Sequence, residues 1–184
     1  MATAKNKDFD EFVKRQQPLS EAERVDWNKE RDDWLAYLNA LYSKIEAFLK
    51  EYVDNGSISL DYKEHRIIEE NIGAYESRLM IIRIGRQEIV LTPIGTLLIG
   101  SKGRVDVEGS AGKARLVLVD KDATGMRSTI KVTIIDPKRP PKREQEAPKH
   151  IEWTWKIVTS PPAVAFLELN KDSFLRVLME VSNA

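Results

Sequence analysis

The chain has 184 residues, with 29 Lys+Arg against 29 Asp+Glu, two His and no Cys; 42% of positions are apolar and 32% charged. This is the composition of a soluble globular chain, long enough to bury roughly 70% of its unfolded surface in one core. It excludes a disulfide scaffold, a thiolate metal site and a cysteine nucleophile, and the zero charge balance removes overall basicity as a reason to expect nucleic acid.

Residues 1–19 read as a mobile lead-in, with Phe9, Phe12 and Val13 as a short helical anchor ended by Pro18. Ser20-Glu21-Ala22-Glu23 has capping-box spacing. It predicts a long amphipathic helix over 20–55, stopped by Asn55-Gly56. Trp27, Trp34, Leu41 and Phe48 recur every seven residues, as do Leu38, Ile45 and Tyr52, with Arg31 at the remaining place. Leu35, Tyr42 and Leu49 widen the stripe, which suits packing on a sheet or on several helices. A helix of about 34 residues spans ~51 Å, against a diameter of ~41 Å for a compact chain of this size. It therefore protrudes, breaks or packs on another chain. Trp27, Trp34, Leu38, Leu41, Ile45 and Phe48 form the candidate interface for self-association.

From Ile58 the pattern turns to strands. Residues 58–70 and 74–84 flank Asn71-Ile72-Gly73, a three-residue hairpin loop. The implied register sets Leu60 against Ile84, Tyr62 against Ile82, Asp61 against Arg83, and Arg66 against Arg78. Gly85-Arg86 fits a two-residue II′ turn that puts Glu88 opposite Arg83 and Ile89 opposite Ile82, making an Asp61–Arg83–Glu88 ladder. Turns at Pro93-Ile94-Gly95, Gly100–Gly103 and Gly109–Gly112 separate strands at 96–100, 104–108 and 114–120. The last hairpin pairs Glu108 with Lys113 and Asp106 with Arg115.

Residues 128–135 read as another strand, and 136–149 as a mobile Pro-rich basic loop. Residues 150–159 form a strand with Ile151, Trp153, Trp155 and Ile157 on one face. A strand over 163–169 and a short helix over 170–183 capped by Asn170 complete the chain. The expected fold is α+β and mainly antiparallel β. It is a meander of about eight or nine strands, curled into a barrel or strongly bent sheet, with a long N-terminal and a short C-terminal helix. Residues 57–184 would form the β domain.

Candidate chemistry is sparse. Gly109-Ser110-Ala111-Gly112-Lys113-Ala114 looks like a phosphate loop but lacks its full spacing and its hydroxyl, and a strand follows it. Lys102 and Arg104, with Asp106 and Glu108, make a candidate anion or partner site beside two glycines. Asp106, Asp120 and Lys121 are the nearest approach to a metal-dependent nuclease set. Trp153 and Trp155 would line a ligand cavity if the sheet closes. His65 and His150 carry no motif. Lys138-Arg139-Pro140-Pro141-Lys142-Arg143 concentrates four positive charges, yet residues 1–56 carry net −3 and 57–184 net +3, a weak asymmetry for a nucleic-acid binder.

These readings favour a non-enzymatic interaction or assembly module that self-associates through its N-terminal helix, with itself or another protein as partner. A small-ligand-binding barrel is the alternative, ahead of a nucleic-acid adaptor or a metal-dependent hydrolase. No cofactor and no metal are expected. No apolar run reaches the ~20 residues of a membrane span, and the polar N-terminus leads to an expected cytoplasmic location.

Overall fold

The computed structural model describes residues 25–96, 101–123, 151–159 and 165–182. Helix α1 spans Trp27–Asp54. Asp26 is its N-cap and accepts from the Lys29 amide at 3.1 Å. The helix therefore starts later than expected, and the Ser20–Glu23 box lies outside the described residues. Its 28 residues span ~42 Å, close to the diameter of a compact chain, so its length demands no protrusion. The end falls where Asn55-Gly56 predicts. Gly56 takes φ +77°, its amide donates to Val53, and the Ser57 amide donates to Tyr52. Those two bonds are a Schellman motif, which turns the chain back into the sheet.

Seven strands follow: β1 Ile58–Glu69, β2 Gly73–Ile84, β3 Gln87–Gly95, β4 Gly103–Glu108, β5 Lys113–Asp120, β6 Trp153–Val158 and β7 Phe166–Glu168. Helix α2, Lys171–Ser182, closes the described chain. Each strand pairs antiparallel with the next, in the order β1 to β7. Strands β1 and β7 are the two edges, so among the described residues the meander is an open sheet of seven strands rather than a barrel of eight or nine. The expected strand at 128–135 and loop at 136–149 lie outside those residues.

The first hairpin is paired two residues away from its expected register. Glu69 opposes Gly73, Leu60 opposes Ile82 and Arg66 opposes Glu76. The expected Arg66–Arg78 repulsion disappears, because Arg66 lies 3.9 Å from Glu76. Asp61 reaches Arg83 diagonally at 3.6 Å, and Arg83 bonds Glu88 at 3.0 Å, so the ladder forms across three strands. The β2–β3 and β4–β5 registers agree with expectation. Gly85 has positive φ and Arg86 does not, as a II′ turn requires.

The core lies between one face of the sheet and the two helices. Trp34, Leu38, Leu41, Ile45 and Leu49 of α1 meet Met80, Ile82, Leu91, Val105, Leu116 and Leu118. Phe174, Val177, Leu178 and Val181 of α2 complete it. β5 reads Leu116-Val117-Leu118-Val119 because it is buried on both faces: Val117 and Val119, turned from that core, are also buried. β3 pairs only with Met80–Ile84 of β2. The far half of the β1–β2 hairpin is thus a two-stranded ribbon, where twist is largest. Ile67 and Tyr75, on the alternate face from Met80, consequently also enter the core.

Gly103 sits under Trp34, and a Cβ there would overlap the indole ring. Gly103→Ala is expected to cost ~1–3 kcal/mol through overpacking. Urea unfolding in a Trp34→Leu background should show a smaller additional cost. An equal cost in both backgrounds would refute this contact as the cause.

Candidate interaction site

Among the described residues, three stretches of chain combine into an open apolar surface. The Schellman turn ending α1 presents Tyr52 and Ser57. The sheet contributes Ile58 at the start of β1, Ile84 at the end of β2 and Gln87 at the start of β3. Helix α2 contributes Leu175, Leu178, Met179 and Ser182. Together they line a cleft of about 500 Å³. Met179 is 57% exposed, whereas Leu178 and Ile58 are buried at its base. Polar groups stand only at Ser57, Gln87 and Ser182 and on the Tyr52 ring.

Both ends of α2 are fixed by polar contacts. At the start, Asn170 Oδ1 accepts from the Ser173 amide and Ser173 Oγ accepts from the Asn170 amide, each at 2.9 Å. This is a reciprocal capping box. At the end, the Ala111 amide donates to the Val181 carbonyl at 2.8 Å. Ser110 Oγ bonds Gln87 at 2.7 Å and lies 3.4 Å from the Ser182 carbonyl oxygen. A Cβ on Gly109 would collide with the Val181 carbonyl. The stretch that resembles a phosphate loop is therefore a receptor for the carbonyl end of a helix, the opposite electrostatic task.

The residues singled out in the sequence are dispersed. Lys102 lies 3.6 Å from Glu30 and 3.5 Å from Asp33, with its ammonium over the Trp153 ring. Arg104 makes two 2.7 Å bonds to Asp106, which hold its pKa up. Glu108 pairs with Lys113 at 2.9 Å. Carboxylates of the chain thus already occupy both cations of the expected anion site. Asp106 alternates with the core residues Val105 and Val107, whereas Asp120 shares a face with Leu118, so the expected nuclease acids lie on opposite faces.

The candidate helix interface is mostly internal. Trp34, Leu38, Leu41 and Ile45 are buried against the sheet, while Phe48 packs partly buried against Phe174, ring centroids 6.2 Å apart, and Trp27 is half-buried. Trp155 is buried too. Its ring meets Trp34 at 5.9 Å and its indole N–H donates to the Tyr37 carbonyl at 3.1 Å, which makes it core rather than cavity lining. His65 Nε2 donates to the Pro93 carbonyl at 3.1 Å, beside the bulge in β3. His150 and residues 138–143 lie outside the described residues.

Two polar clusters escape sequence reasoning, because tertiary pairing alone assembles them. Glu69, only 8% exposed, accepts from Tyr75 at 2.6 Å and from the Thr96 amide and hydroxyl at 2.8 and 2.9 Å. The second cluster joins α1 to the hairpin. Tyr42 donates to the Arg78 carbonyl at 2.6 Å, Tyr62 donates to Glu46, and the Arg78 guanidinium lies 4.8 Å from the Tyr62 ring centroid. Burial raises the pKa of Tyr42, Tyr62 and Tyr75 well above the ordinary value, with bonded Glu46 and Glu69 adding to the rise at Tyr62 and Tyr75. These hydroxyls serve as donors and cannot act as bases near neutrality. Among the described residues no cluster of His, Asp or Glu could hold a metal ion, and no helix is long and apolar enough to cross a membrane.

Compared with known proteins, the chain matches no family model, no curated protein and no solved structure.

The raised tyrosine values have a signed consequence. The folded state holds these protons more tightly than the unfolded chain, so their contribution to stability is complete below about pH 10, the ordinary tyrosine value, and declines above it. An absorbance titration should show Tyr42, Tyr62 and Tyr75, three of the five tyrosines, ionising only as the chain unfolds. Ionisation of all five in the native state near pH 10 would contradict it.

Proposed function

We propose that this protein is a non-enzymatic interaction module that self-associates, with the apolar cleft as its contact surface and the cytoplasm as its setting. The carrying observation is the cleft beside α2, where exposed Met179 stands over a base of buried apolar side chains. Burying such a surface is the main favourable term in association. The ionisable groups at the other candidate sites already have partners within the chain, which leaves little for acid–base work or anion capture. The heptad face of α1 is occupied by the sheet, so the proposed contact moves from that helix face to the cleft.

A small-ligand reading rests on the same surface. A volume of about 500 Å³ falls within the roughly 300–1,000 Å³ usual for ligand pockets. In that case the ligand meets Tyr52 and Met179 rather than Trp153 and Trp155. The two readings differ in mass. A monomer whose thermal midpoint rises with small apolar compounds supports the carrier, and a concentration-dependent dimer supports the module.

Met179→Glu places a charge in the cleft at an exposed position. Self-association is expected to weaken about tenfold or more, ~1.4 kcal/mol or greater, in sedimentation velocity. Stability should stay within about 0.5 kcal/mol of the parent. A dimer indifferent to this substitution would show that another surface carries the contact.

A further inference from the structure

We propose that the cleft receives the N-terminal segment of a second copy of this chain, with Phe9, Phe12 and Val13 as the inserted side chains. This rests on the self-association reading above and names its occupant. The triplet has i, i+3, i+4 spacing, which places three apolar groups on one side of a helical turn. Helix-in-groove recognition uses that pattern against an apolar trough. The cleft supplies such a trough, walled by Tyr52 and Met179 with Ile58 and Leu178 at its base. Charge is neutral to the choice: Asp8, Asp10 and Glu11 stand with Lys7, Lys14 and Arg15 about the triplet, and exposed Arg86 and Arg176 adjoin the cleft lining together with Glu180.

Chain length decides between the molecule's own cleft and a neighbour's. The segment joins the described chain at Val25, at the start of α1, whereas the cleft lies at its far end beside Tyr52. From Trp27 to Tyr52 the helix rises ~38 Å. Twelve Cα-to-Cα steps lead from Val13 to Val25; fully extended they reach ~40–43 Å, and as a flexible coil they span only ~17–21 Å. Reaching the chain's own cleft requires a nearly straight connection along the whole helix. In a two-fold pair with α1 helices running antiparallel, the neighbour's cleft comes close to Val25. Each copy then donates one segment and receives one, so the assembly closes as a dimer and leaves no open end.

The chain has no Cys, so introduced thiols report unambiguously. Full-length Val13→Cys and Met179→Cys chains, one of them tagged, are mixed and oxidised mildly. The expected result is a mixed disulfide between copies in excess of either self-linked product. In sedimentation, full-length chain carrying Phe9→Asp and Phe12→Asp should self-associate at least about tenfold more weakly than the parent. If the double variant Val13→Cys/Met179→Cys closes within one monomer and the mixture does not cross-link, the occupant is the chain's own segment and the proposal falls. If the parent is a dimer but no 13–179 link forms, the N-terminal occupant is overturned while self-association stands. A monomeric parent with no link of either kind overturns both.

Discussion

The Trp34 ring occupies the space in which any side chain at position 103 would begin, and this close approach sets how α1 lies on the sheet. Four other contacts converge there. Trp155 meets the same ring and ties its indole N–H to the Tyr37 carbonyl. Lys102, next to Gly103, pairs with Glu30 and Asp33 on the turn of α1 before Trp34. The apolar part dominates: exposed ion pairs are worth about 0–1 kcal/mol, whereas truncating a buried Trp costs about 3–5 kcal/mol. The Trp34 indole N–H is buried without a hydrogen-bond partner, although it lies close enough to the Tyr75 hydroxyl to act on its pKa. The Trp34 side chain is fully buried, so its shape and area hold it here. With that point fixed, Tyr42, Ile45 and Leu49 fall over the β1–β2–β3 end of the sheet, and the Schellman turn delivers the chain into β1.

The same requirement accounts for both glycine-rich stretches that invite an anion-binding reading. Gly103 admits an indole and Gly109 admits the carbonyl end of α2. In each case glycine is needed for close approach, and neither takes positive φ. A sequence pattern cannot separate these uses, since a missing Cβ serves a phosphate, a ring or a carbonyl equally well. The partner decides. Here one partner is apolar and the other is an acceptor, and the neighbouring cations Lys102 and Arg104 are neutralised by acids of the same chain.

Much of the fold was legible because errors of register and of element boundary differ in their consequences. Placing the first hairpin turn one residue too far along shifts its pairing by two positions. A two-residue shift leaves every side chain on its original face, so Leu60, Tyr62, Met80 and Ile82 share the core face in either register. What changes is the cross-strand partner, and Arg66 gains Glu76 in place of Arg78. Gly73 misled because its positive φ belongs to the paired position closing the turn, not to the loop itself. At the helix start, Asp26 caps the Lys29 amide, and the sequence offers Ser20 as an equally acceptable local cap, so a capping pattern alone does not fix the boundary. Barrel closure and the cleft were illegible for another reason. Both depend on how distant segments meet, and the cleft draws on residues from 52 to 182 with no shared motif.

The survival of an open apolar cleft follows from how α2 is held. A helix of 12 residues is marginal alone in water and ordinarily relies on a broad apolar face. Here Phe174, Val177, Leu178 and Val181 supply a narrow buried stripe, while a capping box fixes one end and the Gly109–Gly112 turn fixes the other. With position and rotation set by the ends, exposed Met179 is not needed to dock the helix, and Leu175 packs only partly against the core. They remain beside the stripe as one wall of the groove, and the Schellman turn with Tyr52 forms the other. Both walls are backbone-anchored within the chain itself. A groove built in this way loses little conformational freedom on binding, which is the condition under which a small apolar contact yields useful affinity.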